Sequence, residues 1–197
     1  VEINRPERLA FHAQRNAEDR FDAEGHDTVL LNSLLKQIDG DADLSRTFLE
    51  KALSLAAHLR PQGNLKIFLT VVGIEVSFLV RDGVEVAAFL RDLEDTLTPE
   101  SRPVLQAHIV RWRAELEILQ GDLVDGENLL RPLEREAAKR PPGESTWKVL
   151  RLLGDIELSR DQTDLALATL TRAHETLQTL ADRLPAEARE GYLSVFD

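Results

Sequence analysis

The sequence contains no cysteine and no methionine. Without cysteine there is no disulfide, no thiolate metal ligand and no thiol nucleophile, and redox logic does not assign a compartment. Opening on Val1 and lacking methionine, the chain reads as a piece of a longer protein, in which a signal peptide would go unseen. Basic residues are scarce: 24 Lys and Arg against 35 Asp and Glu leave a formal charge of −11. So acidic a chain lacks the clustered cations on which nucleic-acid affinity rests, and a neutral or basic partner is the better expectation. Long apolar runs are missing too. The longest, residues 67–80 (IFLTVVGIEVSFLV), falls short of the roughly 20 residues a bilayer requires and is interrupted by Glu75, so it reads as a buried helix.

Chemical motifs are equally sparse. There is no glycine-rich phosphate loop, no serine in a GxSxG setting and no HExxH. The histidines, His12, His26, His58, His108 and His174, are spread over different segments, and His174-Glu175 lacks the second histidine of a zinc protease. These absences argue against catalytic residues, a cofactor or a metal. Most Asp and Glu stand at charge-pair spacing from Arg and Lys, as on solvated helix faces.

What is present is helical. Hydrophobic residues make up 43% and charged ones 30%, with only 10 Gly and 8 Pro, which suits amphipathic helices. Four segments pair two helix-period patterns across a short polar turn: 27–59, 65–97, 103–139 and 146–181. Aligning their first helices superposes the small residues Ser33, Gly73, Ala114 and Gly154, at intervals of 40, 41 and 40. Turns fall in phase at Ile38-Asp39-Gly40-Asp41, Arg81-Asp82-Gly83, Gln120-Gly121-Asp122 and Arg160-Asp161-Gln162, where Gly is expected to stop one helix and Asp to cap the next. Breaks between hairpins carry proline: Pro61, Pro99, Pro103, Pro141 and Pro142. Residues 1–26 and 182–197 read as terminal covers, the latter with Tyr192, Leu193 and Phe196 lying over the last hairpin.

These phased small residues and turns resemble the tetratricopeptide-repeat family. The best match is residues 147–180, with Leu150, Leu153, Gly154, Ala166, Leu167, Leu170 and Ala173 in the family's places; residues 115–130 follow, with Gly126 in the second helix's small position. The 65–97 hairpin needs an extra turn residue before Ala87 or Ala88 to fit. The period is near forty rather than thirty-four, and Glu117 and Glu157 stand where the family carries an aromatic. Degenerate repeats of this length resemble the regulatory helical arrays of bacterial signalling and transcription proteins, which implies a cytoplasmic setting. The implied fold is all-α, a right-handed superhelix of antiparallel helical hairpins.

The resemblance also implies a concave groove lined by first helices. Carried over residue by residue, its positions are Asp27, Leu30, Leu34 and Gln37; then Ile67, Thr70, Ile74 and Ser77; then His108, Arg111, Glu115 and Ile118; then Lys148, Arg151, Asp155 and Leu158. Arg111, Lys148 and Arg151 together would grip a carboxylate. Against this, Arg111 and Glu115, like Arg151 and Asp155, stand at i and i+4 and are able simply to pair with each other. Trp112 falls on a core-facing position, whereas Trp147 beside the Pro-Pro-Gly loop divides between core and partner contact. The expected function is a protein or peptide interaction scaffold, its partner a separate protein or peptide or another domain of the same parent chain. The alternatives are a sensor holding a small-molecule or peptide signal around residues 67–78, and self-association as a homodimer through apolar faces.

Overall fold

The computed structural model describes residues 46, 47, 64–184, 189 and 193, all of whose regular structure is helical. The expected cover at 1–26 lies outside the described residues, as does nearly all of the hairpin at 27–59. The chain divides into two compact units, residues 1–101 and 102–197. In the first, α1 (Asn64–Leu79) packs against α2 (Gly83–Thr96). α1 is crowded with β-branched residues, which are mediocre helix formers. Burial therefore has to hold it, and Ile67, Ile74 and Val76 are all under 5% exposed. α2 answers with Val86, Leu90 and Leu93, a stripe at i, i+4 and i+7. Polar groups close the flank: Lys66 Nζ meets Asp92 at 2.7 Å, and the Thr70 hydroxyl donates to the Lys66 carbonyl and to Asp92.

The second unit holds α3 (Arg102–Leu119), α4 (Leu123–Ala137), α5 (Glu144–Ser159) and α6 (Thr163–Ala181). α3 packs on α4 and α5 on α6, while α5 also lies against both α4 and α3. The seam is a cluster of Ala114, Leu130, Val149, Leu152, Leu153 and Ile156. Burying each large aliphatic side chain there is worth about 1.5–3 kcal/mol. Beyond it, Trp147, Leu177 and Ala181 form a second cluster against which Leu180, Leu184 and Leu193 pack. Leu193 packs against this cluster, while Tyr192 and Phe196 of the expected cover lie outside the described residues.

The three hairpin turns are copies of one another. Arg81, Gly121 and Asp161 each take a left-handed backbone, with φ of 56°, 91° and 59°. In each turn the amide of the following residue reaches five residues back: Asp82 to Ser77, Asp122 to Glu117 and Gln162 to Glu157, all at 2.9 Å. The left-handed residue itself bonds three back, to Phe78, Ile118 and Leu158. This is the Schellman closure of a helix C-terminus. The next helix starts at once, Asp82 and Asp122 capping the amides of Glu85 and Asp125, while Gln162 makes no side-chain cap bond.

These turns correct two expectations. Gly83 is the first residue of α2, not a helix stop; the stop is Arg81, and no extra turn residue precedes Ala87. With the left-handed residues 40 apart throughout, the counterpart of Ala114 and Gly154 is Ile74, not Gly73. All three are buried. Gly73 does make a close approach, but one step early: a Cβ there would fall 2.7 Å from the Phe89 ring, whereas in the last hairpin it is Gly154 that lies against Leu170.

Candidate functional site

The corrected register moves the expected groove positions of α1 by one residue. Ile67, Thr70, Ile74 and Ser77 are all buried, at 4% exposure or less, and present no outer surface. Their neighbours Phe68, Val71, Glu75 and Phe78 are half-buried and hold the positions that correspond to His108, Arg111, Glu115 and Ile118. Trp147 is likewise in the core, 1% exposed, so no indole surface is left for a partner. Trp112 is buried as expected.

On α3 and α5 the charged residues are engaged along their own helices. Arg111, only 2% exposed, donates to Glu115 at 2.7 Å, and its guanidinium lies 5.2 Å from the Trp112 ring. His108 makes a tilted ring contact with the same indole at 5.7 Å. Lys148 stands 3.8 Å from Glu144 and Arg151 3.8 Å from Asp155. The i, i+4 reading of these acids therefore accounts for the contacts seen, and Arg111 is a packed residue rather than an open grip. Asp155 differs from the others: displacement of water by its surroundings raises its carboxyl pKa, and Arg151 only partly offsets the rise.

A larger ionic network escaped sequence reasoning. Arg131 on α4 bonds Glu127 and Glu134 on its own helix and, at 2.9 Å, Glu157 on α5. Glu157 is 1% exposed. Glu127 also takes Arg160 from the turn after α5, and Glu134 takes Arg172 from α6 at 2.9 Å. Three arginines and three glutamates thus tie α4 to the next hairpin at three points. Arg160 above all, with Arg131, holds the Glu127 carboxyl below its ordinary value against the effect of burial. Burial pulls the Arg131 pKa down, but its three carboxylate partners outweigh that and raise it. Only the Glu127–Arg131 and Arg131–Glu134 spacings were legible locally; the cross-helix partners leave no mark in sequence.

Beside this network lies a cleft of about 320 Å³ between the end of α4, the 138–143 loop, the start of α5 and α6. Leu150, Ala137 and Pro142 give it apolar lining, Thr146, Thr176 and Thr179 line it with threonine side chains, and Arg140, Arg172, Glu134 and Glu175 bring two charges of each sign. Among the described residues no three His, Asp or Glu side chains are grouped to hold a metal ion, and no helix is long and apolar enough to cross a membrane. The described residues form helical hairpins, with a polar cleft in the second unit. No protein-family model, curated protein or solved structure matches the chain.

Proposed function

We propose that this chain is a protein- or peptide-binding module of the tetratricopeptide-repeat kind, its hairpins stacked in a right-handed superhelix within a larger regulatory or signalling protein. One observation carries the reading: the same hydrogen-bonded turn recurs at residues 81, 121 and 161, and α5 packs on both helices of the hairpin before it. A unit whose apolar face is buried only by its neighbour is the economy of a repeat array, and such arrays present long side-chain-rich surfaces to extended partners. The net charge of −11 directs the reading toward partners that are neutral or basic over most of their length.

Selection of a random-peptide display library on the intact chain tests this. Enrichment of related sequences that bind the folded chain and not a urea-unfolded control supports the reading. If nothing is enriched over that control, the module is not a peptide binder. Small-angle scattering on the same sample tests the stacking, since a superhelix has a larger radius of gyration than a closed bundle of equal length.

A further inference from the structure

We propose that the cleft between the end of α4 and α6 binds a short acidic peptide segment, its carboxylate held by Arg172 and Arg140 and an adjacent small apolar side chain resting on Leu150 and Pro142. This deepens the peptide-binding reading and rests on it. Arg172 is half exposed, and Glu134 holds it by a single guanidinium nitrogen, Nη1, at 2.9 Å. Glu134 is itself fixed by Arg131, which is anchored on the buried Glu157. The chain of pairs positions the guanidinium before any ligand arrives, while its Nε and Nη2 donors make no other hydrogen bond among the described residues. An arginine held by one edge with the other edge open is set for two-point capture of a carboxylate. Arg140, exposed on the loop at the mouth, makes no hydrogen bond or ion pair to any carboxylate among the described residues.

The remaining lining selects among anions. Glu134 and Glu175 balance the two arginines, so a doubly charged phosphate meets two carboxylates, whereas a single carboxylate replaces only hydration on the free edge of Arg172. The hydroxyls of Thr176 and Thr179 already donate to the Arg172 and Glu175 carbonyls, each at 2.8 Å, which leaves them as acceptors for a peptide N–H. At about 320 Å³ the cleft sits at the small end of ligand sites, room for two or three residues.

The test is a titration of the ¹⁵N-labelled full chain with acetyl-Ala-Asp-Ala-amide, its Asn counterpart and sodium acetate, reading backbone amides and arginine Nε–H signals. The Asp peptide is expected to move Arg140, Arg172 and Thr146 with a Kd of about 0.1–1 mM, and the Asn peptide to bind about ten-fold more weakly. Arg140→Gln and Arg172→Gln should each weaken the Asp peptide by a similar factor, and Arg91→Gln on α2 should not. Arg140 lies on an exposed loop, so its variant keeps the test valid should Arg172→Gln disturb the network. Equal binding of Asp and Asn peptides, or arginine signals that stay still, overturns the proposal. Acetate reproducing the peptide's shifts at equal concentration overturns the peptide assignment. Library-selected peptides that bind while Arg140 and Arg172 stay unmoved sink the cleft alone; absence of any peptide binding sinks the wider reading with it.

Discussion

Gly154→Ala sets two known effects against each other at one atom. In a helix interior Ala is favoured over Gly by about 0.8–1 kcal/mol, so propensity alone makes the change stabilising. The structure argues the opposite. A Cβ on Gly154 would lie 2.6 Å from both Cγ and Cδ2 of Leu170 on α6, where ordinary contact begins at 3.4 Å. Because Cγ is the branch point of the side chain, a swing of one methyl does not relieve the clash; Leu170 must leave its rotamer, or α5 and α6 must separate by about 0.8 Å. Overpacking of this kind costs about 1–3 kcal/mol, which leaves a net loss of up to about 2 kcal/mol after the propensity gain. Urea unfolding of Gly154→Ala, Leu170→Ala and the double variant measures it. The double variant should be more stable than the sum of the singles implies, by about 1 kcal/mol or more, because the smaller residue at 170 makes the room that the methyl needs. A single variant that is more stable than wild type, with coupling near zero, would refute the argument that this contact sets the helix spacing.

Further outcomes follow from the turns, the network and the shifted carboxyl of Asp155. Gly121→Ala should destabilise by about 1 kcal/mol, since φ is 91° there, whereas Asp161→Gly should stabilise by up to about the same amount by giving a left-handed site the residue that suits it; thermal melts of both check this. Arg131→Ala strands Glu157 in the core and should cost about 2–3 kcal/mol, less than a fully buried pair because Arg131 is 34% exposed; adding Glu157→Gln should recover part of the loss. Asp155→Asn should raise stability at neutral pH. The folded-state carboxyl pKa is raised, so in wild type stability is lost as pH climbs from the unfolded-state value through the folded one, and the variant's advantage should vanish below the ordinary carboxylate range; urea midpoints from pH 3 to 7 read this out.

The helical character and the turn positions were legible because they rest on local chemistry. Asp82 and Asp122 cap as their sequence setting suggests, and the i, i+4 pairing of Arg111 with Glu115 was one of two readings the spacing allowed. The register of the first hairpin was not legible, for a specific reason. Glycine is the usual left-handed residue, so Gly83 looks like the stop of α1, but the chain takes its left-handed conformation at Arg81, caps α2 with Asp82 and uses Gly83 to begin it. Gly73 compounded the error: it is a true close-approach residue, but its partner is the Phe89 ring, one step out of phase with the Gly154–Leu170 contact of the last hairpin. One residue of slip carried four groove positions into the core. The cleft was invisible for another reason. Glu134 and Arg172 lie 38 residues apart, and no local pattern announces a pair that only the packing of α6 creates.

That pairing links the architecture to the proposed site. A guanidinium that must select an acidic segment needs to be held still, and in a helical array the cheapest support is the seam between hairpins, where side chains are already ordered by packing. Glu157 follows Ile156 on α5 and is 1% exposed, so its carboxylate is buried next to a residue that fills the seam between the hairpins. From it the network runs through Arg131 and Glu134 to Arg172, whose side chains are 34%, 17% and 52% exposed. Loosening the seam should therefore weaken capture at the cleft without touching a lining residue. Glu157→Gln is the cleanest probe: it keeps the shape, removes the charge that anchors Arg131, and should lower the affinity for the acetyl-Ala-Asp-Ala-amide peptide several-fold while the helices stay folded. If its affinity equals that of wild type, Arg172 is positioned by α6 alone and the network serves stability only.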